Sequence, residues 1–319
     1  MGVSIRINGV DYPDVPRIDV PKVNSGNASF YDCSSDDATA EDVVQGKICH
    51  SASGLIVGTA SGGGDTFSEL TVKGNNTDVI TITTDDATRY YTFKGLNGLK
   101  YVKFGAGIRY IGANAFNSCP NLESVEGLDV TDVGVNAFAS CTWLVDVNFP
   151  NLDWIQGFKS CTHLQAASFP VATRFQSDAF NGCTELTEVS AQNVQRIGSQ
   201  AFYNCKKLVS ASYPKAATIE MSAFYSCELV TEITLDASTS IAMYAFRYCK
   251  TLHDLYLTGS AVPTLANINA FDNSPIAISG TYADSTARIH VRAELEAAFK
   301  SSTNWSTFAS KIVGDYEDD

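Results

Sequence analysis

Hydrophobic residues recur with a period of about 22 residues through most of the chain. Each copy contains Ala-Phe (Gly-Phe in one copy), a cysteine three residues after the phenylalanine, and a leucine or valine three residues after the cysteine. An eighth copy around Phe271 has Ser274 in place of the cysteine. Self-similarity at a period of about 20 to 50 residues signals stacked structural repeats. The phenylalanines of the seven full copies are Phe116, Phe138, Phe158, Phe180, Phe202, Phe224 and Phe246.

Each copy carries the signals of one strand and one bend. Apolar positions two residues apart, such as Val147 and Phe149, indicate one face of a short strand. The span Ile197-Gly-Ser-Gln-Ala-Phe202 places Ile, Ala and Phe at i, i+4 and i+5, which fits the inner face of a short helical turn. Because one coil cannot bury its own apolar edges, the coils must stack. We therefore predict an α/β solenoid of about eight 22-residue coils, each formed by a strand and a short helical turn.

The repeated unit resembles a known class. Ile111-Gly-Ala-Asn-Ala-Phe116-Asn-Ser-Cys119-Pro-Asn-Leu122-Glu-Ser-Val125 resembles the BspA-like leucine-rich repeats, and the resemblance covers roughly residues 89–275. It implies a leucine-rich-repeat fold and a surface-exposed binding protein of the kind found in bacteria, some protists and phages. Residues 293–313 are similar to the closing segment that follows such repeats, which implies a C-terminal helical cap.

A segment near the N-terminus has a second resemblance. Residues 37–47 and 53–59 are similar to a short segment that recurs in tail and baseplate proteins of phages of Gram-positive bacteria. In physical terms the first part predicts a short helix, with Thr39 as N-cap and Gly46 as its C-terminal stop, and the second part predicts a strand. The resemblance implies attachment to a virion.

The chain divides into four predicted regions. Residues 1–61 form a small β-rich attachment module, which begins with a hairpin that turns at Asn8-Gly9. Residues 62–88 form a glycine-rich linker, starting beside Ser61-Gly-Gly-Gly-Asp65, and a hairpin that caps the first coil. Residues 89–275 are the repeats, and residues 276–319 are the C-terminal cap.

Composition and charge exclude several partner classes. The 319 residues carry a formal net charge of −13, without a cluster of lysine or arginine, which argues against nucleic acid and anionic membranes as partners. No apolar run has the roughly 18 residues of a membrane-spanning helix, so membrane insertion is not expected. The start of the chain lacks an apolar segment of signal-peptide length, so we expect a protein that is assembled inside the cell, unless an export signal is removed.

No combination of residues predicts catalysis, a metal site or a cofactor. One cysteine per coil does not provide the close ligand pairs that zinc requires, and these thiols are expected to be reduced, buried and structural. The histidines fall in different coils or modules, without a nucleophile or carboxylate at a recurring offset. The chain is therefore predicted to be non-enzymatic. The four histidines are His50, His163, His253 and His290.

Two groups of side chains are candidates for binding. Polar residues that alternate outward along the strands fit the extended binding face of a solenoid, and a merely soluble face has the same composition. Aromatic residues beside the Phe-Cys bends suit saccharide or protein surfaces, although single surface aromatics are ordinary. The strand candidates are Lys100, Tyr101, Lys103, Asp146, Asn148, Glu188, Glu232, His253, Asp254 and Tyr256. The aromatic candidates are Trp143, Tyr203, Tyr225, Tyr244 and Tyr248.

These observations favour a binding or adhesion protein. The leading hypothesis is a receptor-binding protein of a phage tail, located in the virion, with other tail proteins and a bacterial surface glycan or protein as partners. Analogy with tail appendages predicts a homo-trimer formed through the N-terminal residues. One alternative is a bacterial cell-surface adhesin with its export signal removed. Another is an accessory module of a glycan-active enzyme, which would need a paired-carboxylate cleft elsewhere.

Overall fold

The computed structural model describes residues 93–95, 99–235 and 240–316, together with the backbone of six short strands that precede them. These six strands are β1 (Ile5–Ile7), β2 (Val10–Tyr12), β3 (Ile48–Ser51), β4 (Gly54–Val57), β5 (Thr71–Lys73) and β6 (Val79–Ile82). The repeats form a parallel β-solenoid of about ten coils rather than the eight predicted, because parallel strands outside the recognised repeats extend the stack at both ends.

Two sides of the solenoid are built from parallel strands, which alternate along the chain. The longer strands are β7 (Tyr101–Phe104), β9 (Ser124–Glu126), β11 (Asp146–Asn148), β13 (Ala166–Ser168), β15 (Glu188–Ser190), β17 (Ser210–Ser212), β19 (Glu232–Leu235) and β21 (Asp254–Leu257). The two-residue strands are β8 (Tyr110–Ile111), β10 (Asp132–Val133), β12 (Trp154–Ile155), β14 (Arg174–Phe175), β16 (Arg196–Ile197), β18 (Thr218–Ile219), β20 (Ser240–Ile241) and β22 (Thr264–Leu265). The two-residue strands form one continuous eight-stranded sheet.

The third side consists of tight turns, where the sequence predicts a helical turn. Asn114 and Ser118 have positive φ angles of 57° and 59°, which interrupt a right-handed helix. The Phe116 N–H donates to the carbonyl of Ala137 in the next coil at 2.7 Å, instead of to its own coil. The predicted helical turn is therefore not confirmed in the described coils, because this backbone forms a third ladder between coils.

The core consists of columns of identical side chains. Phe116, Phe138, Phe158, Phe180, Phe202, Phe224 and Phe246 are fully buried. Their rings stack with centroids 5.1 to 5.8 Å apart, and the column continues to Phe93 at one end and Phe271 at the other. Each coil thus buries its phenylalanine against the coils on both sides, so the stack is the stable unit.

A cap of mixed structure closes the C-terminal end. It contains strands β23 (Arg288–Arg292) and β24 (Ile312–Tyr316), one α-helix, α1 (Glu296–Ser301), and 3₁₀ turns at Ile268–Phe271, Ala293–Leu295 and Trp305–Phe308. Trp305 lies against Phe271 at the end of the phenylalanine column and donates from Nε1 to the carbonyl of Pro263 at 2.7 Å. Asn304 Nδ2 donates to the carbonyl of Leu265 at 2.7 Å. The expected cap is therefore helical only in part, and it satisfies edge carbonyls of the last coil.

The N-terminal strands are paired in part as predicted. β1 and β2 pair antiparallel with Ile5 opposite Tyr12, which confirms the first hairpin. β5 and β6 pair antiparallel, and β6 pairs parallel with β7, so the second hairpin covers the coil of β7. The predicted helix around Thr39 and the linker Ser61–Asp65 lie outside the described residues, and the domain boundaries stay predictions. No helix in the described part of the chain is long and apolar enough to cross a membrane.

Candidate functional site

The turn side differs in composition along the stack. The residue after each column phenylalanine points away from the core and is small or polar in the first four full coils. In the next three coils the same position holds Tyr203, Tyr225 and Arg247. In chain order this column reads Asn117, Ala139, Lys159, Asn181, Tyr203, Tyr225 and Arg247.

Four of the predicted aromatic candidates come together around this arginine. Tyr203 and Tyr225 stack with their ring centroids 4.7 Å apart, and Tyr225 meets Tyr248 edge to face at 5.4 Å. The Arg247 guanidinium carbon lies 4.8 Å from the ring centroid of Tyr244 and 5.2 Å from that of Tyr248. All five side chains are half-buried. We call these five residues the tyrosine cluster.

Two members of the tyrosine cluster occupy an unfavourable backbone conformation. Tyr244 and Tyr248 both have φ of 61°, in the left-handed region that bulky side chains rarely adopt. The residues at the corresponding turn positions of the other coils are small or polar. Left-handed backbone at a bulky residue is an outlier that costs on the order of 1 kcal/mol or more, and such strained residues are often found at functional sites. The residues at those positions include Asn114, Ser118, Asn136, Ser140, Ser160, Asp178, Gly182, Gln200, Asn204, Ser222 and Ser226.

The electrostatic setting of the tyrosine cluster acts on the phenol of Tyr225. Partial burial raises the pKa of Tyr225, and the neighbouring Tyr203 raises it further. Arg247 Nε is buried without a hydrogen-bond partner, and Asp272 Oδ2 lies 3.9 Å from it. Aromatic faces and a fixed cation are thus presented side by side, an arrangement suited to binding rather than to proton transfer.

The strand candidates at the start of the stack pair with the next coil. Lys100 Nζ lies 3.6 Å from Glu123, whose other carboxylate oxygen accepts a hydrogen bond from the Tyr101 hydroxyl at 2.9 Å. Lys103 Nζ lies 3.4 Å from Glu126 Oε2. Such exposed pairs contribute little to stability, about 0 to 1 kcal/mol each. Lys100, Tyr101 and Lys103 thus interact with side chains of the next coil rather than being presented unpaired to a ligand.

A second group of strand candidates lies at the other end. The His290 ring, on β23, stacks on Tyr256 with centroids 4.4 Å apart. Its Nε2 lies 3.0 Å from Asp254 Oδ1, and its Nδ1 lies 2.9 Å from Asp315 Oδ1. Partial burial raises the pKa of Tyr256, and the carboxylate of Asp254 adds to the rise. These contacts join β21, β23 and β24.

The remaining strand candidates are dispersed. Asp146 accepts a hydrogen bond from Ser124 Oγ at 3.2 Å, while Asn148, Glu188 and Glu232 are exposed on separate strands. His253 Nε2 lies 4.0 Å from Asp284 Oδ2. Strands β7 and β21 are seven steps apart, about 34 Å at the usual strand spacing. The structure therefore does not gather the strand candidates into one patch.

Trp143 also lies apart from the other aromatic candidates. It is 53% exposed and stacks on His163 of the next coil with ring centroids 4.3 Å apart. Its coil, that of Phe138, lies three steps along the stack from the coil of Tyr203. It belongs to a different column of the coil, two residues after the cysteine.

Sequence reasoning missed several surface residues. Arg247 stands in the same column as Tyr203 and Tyr225, so alignment of the repeats by that column would have found it. Arg174 stacks over the ring of Trp154 at 5.0 Å on the two-residue strands, and both residues directly precede an apolar anchor. His290 and Asp315 lie beyond the repeats, so no periodic signal marks them.

The cysteine column serves the core, as the sequence predicts. The seven cysteines from Cys119 to Cys249 are buried free thiols. Each donates from Sγ to the carbonyl of the phenylalanine in the preceding coil, as Cys183 does to Phe158 at 3.1 Å. Burial raises the pKa of the Cys183 thiol to about 12. Among the described residues there is no group of three or more histidine, cysteine, aspartate or glutamate side chains that could hold a metal ion.

The coil geometry, with its phenylalanine, cysteine and leucine columns, defines a leucine-rich-repeat solenoid. The family described as "BspA type Leucine rich repeat region" matches residues 76–187 and 173–306, in six copies. The chain belongs to this family. No curated protein matches the sequence.

Solved structures of similar proteins come from several bacteria. A leucine-rich repeat protein of T. pallidum is 24% identical over 54% of this chain and 82% of its own, with a TM-score of 0.44. A leucine rich cell surface protein of Faecalibacterium prausnitzii is 16% identical over 81% of this chain and 99% of its own, with a TM-score of 0.33. A leucine-rich repeat protein of Eubacterium ventriosum is 13% identical over 70% of this chain and 91% of its own, with a TM-score of 0.31.

Proposed function

We propose that this protein is a non-enzymatic adhesion protein, which recognises a bacterial surface glycan or protein through the tyrosine cluster. One observation carries the proposal. Tyr244 and Tyr248 stand at left-handed backbone positions where the other coils have small or polar residues. The Tyr248 ring contacts Tyr225 of the stacked pair, and Tyr244 joins the group through Arg247. Bulky aromatic residues at a conformational cost indicate that their exposed faces are needed.

The class of the protein supports this reading. Proteins of the leucine-rich repeat family are generally non-enzymatic binding proteins. A stack of coils presents side chains on a regular, rigid lattice, because every coil is fixed by its neighbours on both sides. Rigid aromatic side chains on such a lattice lose little conformational entropy on binding.

The chemistry of the rings fits saccharides and proteins alike. A tyrosine ring offers an apolar face and a polar hydroxyl edge, which match the apolar faces and hydroxyl groups of a sugar. Stacked pairs such as Tyr203 and Tyr225 extend this surface over two neighbouring coils. The same surface would serve an exposed loop of a protein receptor.

The setting we propose is a phage tail, where the repeats meet the host surface and the N-terminal residues join other tail proteins as a homo-trimer. The support for it is the resemblance of residues 37–59 to tail and baseplate segments. The alternative setting is the surface of a bacterium. Antibodies raised against the protein distinguish the two by electron microscopy: labelled virion tails support the first setting, and labelled cell surfaces with bare virions contradict it.

Binding of the fluorescently labelled protein to a panel of intact Gram-positive gut and environmental bacteria tests the proposed function. We expect binding restricted to certain strains. The double variant Tyr203→Ala/Tyr225→Ala should reduce binding at least tenfold, with a circular dichroism spectrum like that of the wild type. The matched control Trp143→Ala, which removes an exposed aromatic three coils away, should bind normally. Equal losses in the two variants, or no binding by the wild type, would contradict the proposal.

A further inference from the structure

Arg247 is held by rings rather than by acceptors. Its guanidinium lies over Tyr244 and Tyr248 at 4.8 and 5.2 Å. No hydrogen bond leads from its side chain to any residue that the structure describes, and the Asp272 carboxylate stays 3.9 Å from Nε. Contact of the guanidinium with ring faces leaves its in-plane N–H donors unused.

Unused guanidinium donors in a fixed position are a recognition feature. Planar N–H donors match a carboxylate or a phosphate with two parallel hydrogen bonds, and this match is stronger than a neutral hydrogen bond. The side chain of Arg247 is 29% exposed, so its terminal nitrogens can meet a ligand, whereas Nε cannot. The two rings reduce the entropy that the arginine would lose on binding.

Arg247 carries the positive charge of the tyrosine cluster, although the whole chain has a net charge of −13. Lys206 is exposed three residues after Tyr203 in the chain. Lys250 lies 2.7 Å from Glu228, so the pair is neutral. The tyrosine cluster itself contains one cation and no carboxylate, and the Asp272 carboxylate lies beside it.

From this arrangement we propose that the tyrosine cluster binds an acidic saccharide, with Arg247 on its carboxylate or phosphate group and the faces of Tyr203 and Tyr225 on its sugar rings. This inference rests on the proposed function and names the ligand class. The distances agree with a ligand of two adjoining parts, since Tyr225 is 5.4 Å from Tyr248 and Arg247 is 5.2 Å from that same ring. A neutral glycan would offer the guanidinium only uncharged hydroxyl and ring oxygens, which form weaker hydrogen bonds than a carboxylate or a phosphate.

Competition for binding to a strain that the labelled protein recognises tests this inference. The competitors are tri-galacturonic acid and an oligo(glycerol phosphate), which carry carboxylates and phosphates, and galactotriose as the neutral counterpart. We expect at least one acidic competitor to displace the wild-type protein at a concentration tenfold or more below that of galactotriose. Equal displacement by acidic and neutral competitors would overturn the inference.

Variants of Arg247 sharpen the test. Arg247→Gln should lower cell binding about tenfold and remove the preference for acidic competitors, and Arg247→Lys should restore only part of both, because lysine lacks the planar fork. Arg174→Gln removes the other stacked arginine and should change neither. Thermal melting verifies that each variant is folded. Loss of binding in Tyr203→Ala/Tyr225→Ala with unchanged binding in Arg247→Gln would sink the inference and leave the proposed function standing. Unchanged binding in both variants would sink both.

Discussion

The coils of Phe116 to Phe180 and the coils of Phe202 to Phe246 have the same interior and different turn surfaces. Phe116 and Phe138 stack at 5.4 Å and Phe224 and Phe246 at 5.6 Å, and the coil-to-coil hydrogen bond of Phe224 to Ala245 measures 2.8 Å against 2.7 Å for Phe116 to Ala137. Outside, the first region carries small and polar residues, and the second carries the tyrosine cluster.

The difference shows how the repeat divides its tasks. The buried columns determine the backbone, and any surface residue compatible with that backbone is tolerated. In the first region the left-handed positions hold residues with short side chains, among them Asn114, whose residue type adopts this conformation more readily than most. In the second region Tyr244 and Tyr248 oppose it. A surface that conflicts with its own backbone is better explained by binding than by stability.

The largest expected effect is a loss of stability at alkaline pH, which tests whether the interiors of the two regions are equivalent. Thiols from Cys119 to Cys249 are buried in both regions, and burial raises the pKa of Cys183 from its ordinary 9.0 to about 12. A raised folded-state pKa stabilises the fold below pH 9 and loses that contribution as the pH rises toward 12. Cys183 alone should then cost up to about 1.4 kcal/mol of unfolding free energy per pH unit. Burial also raises the pKa of other thiols of the column, and their contributions add to that of Cys183 to make this the largest effect. Urea unfolding from pH 8 to 11 measures the loss.

Both regions should lose stability together in that titration. Hydrogen exchange at pH 8 and at pH 10 resolves the two sets of coils. Selective loosening of one region would show that the two interiors are not equivalent, and a Cys183→Ala variant should have a shallower pH dependence than the wild type.

A smaller effect is expected from single core substitutions. Phe180→Ala and Phe224→Ala should each lower the free energy of unfolding by about 3–5 kcal/mol, because each leaves a cavity in the same ring column. Tyr203→Ala, at a half-buried surface position, should cost less than about 1 kcal/mol. Chemical denaturation measures all three. If the losses of unfolding free energy in Phe180→Ala and Phe224→Ala differ by more than about 2 kcal/mol, the interiors of the two regions are not equivalent.

The smallest expected effect is a change in stability when an aromatic residue is placed at, or removed from, a left-handed backbone position. Ser140→Tyr introduces an aromatic residue at a positive-φ position of the first region, where no arginine is next to it, and should destabilise by about 1 kcal/mol. Tyr248→Ser removes the bulky ring from a left-handed position and loses its contacts with Arg247 and Tyr225, so the net change should stay within about 0.5 kcal/mol. Thermal melting measures both. A stability loss larger than about 2 kcal/mol in Tyr248→Ser would assign that tyrosine to the fold rather than to binding.

Much of the fold was predictable because buried positions repeat with the coil. The period identified the stack, and the buried roles of Phe180, Cys183 and Leu186 followed from it. The helical turn is not confirmed, because the spacing of Ile197, Ala201 and Phe202 also fits a bend in which left-handed residues break the helix. Spacing alone does not distinguish i, i+4 in a helix from the same spacing across a strand and a turn.

The candidate site was predictable only in part. The four tyrosines were identified as single exposed aromatics, but their contact depends on the ladder that places Tyr203, Tyr225 and Arg247 in one column. Tyr244 reaches this group from the opposite end of its turn, through Arg247, a contact with no signature in the sequence. The repeat period predicts the buried residues, which recur from coil to coil, better than the surface residues, which differ between coils.

The central claim is that the interior carries the fold and the tyrosine cluster carries the binding. One variant tests it most directly, with the turn surface of the second region replaced by residues of the first: Tyr203→Asn, Tyr225→Ala, Tyr244→Asn and Tyr248→Ser together. Its melting temperature and its binding to a recognised bacterial strain are measured on the same preparation. We predict an unchanged or higher melting temperature and a loss of binding of at least tenfold. Binding at the wild-type level by this folded variant would contradict the claim.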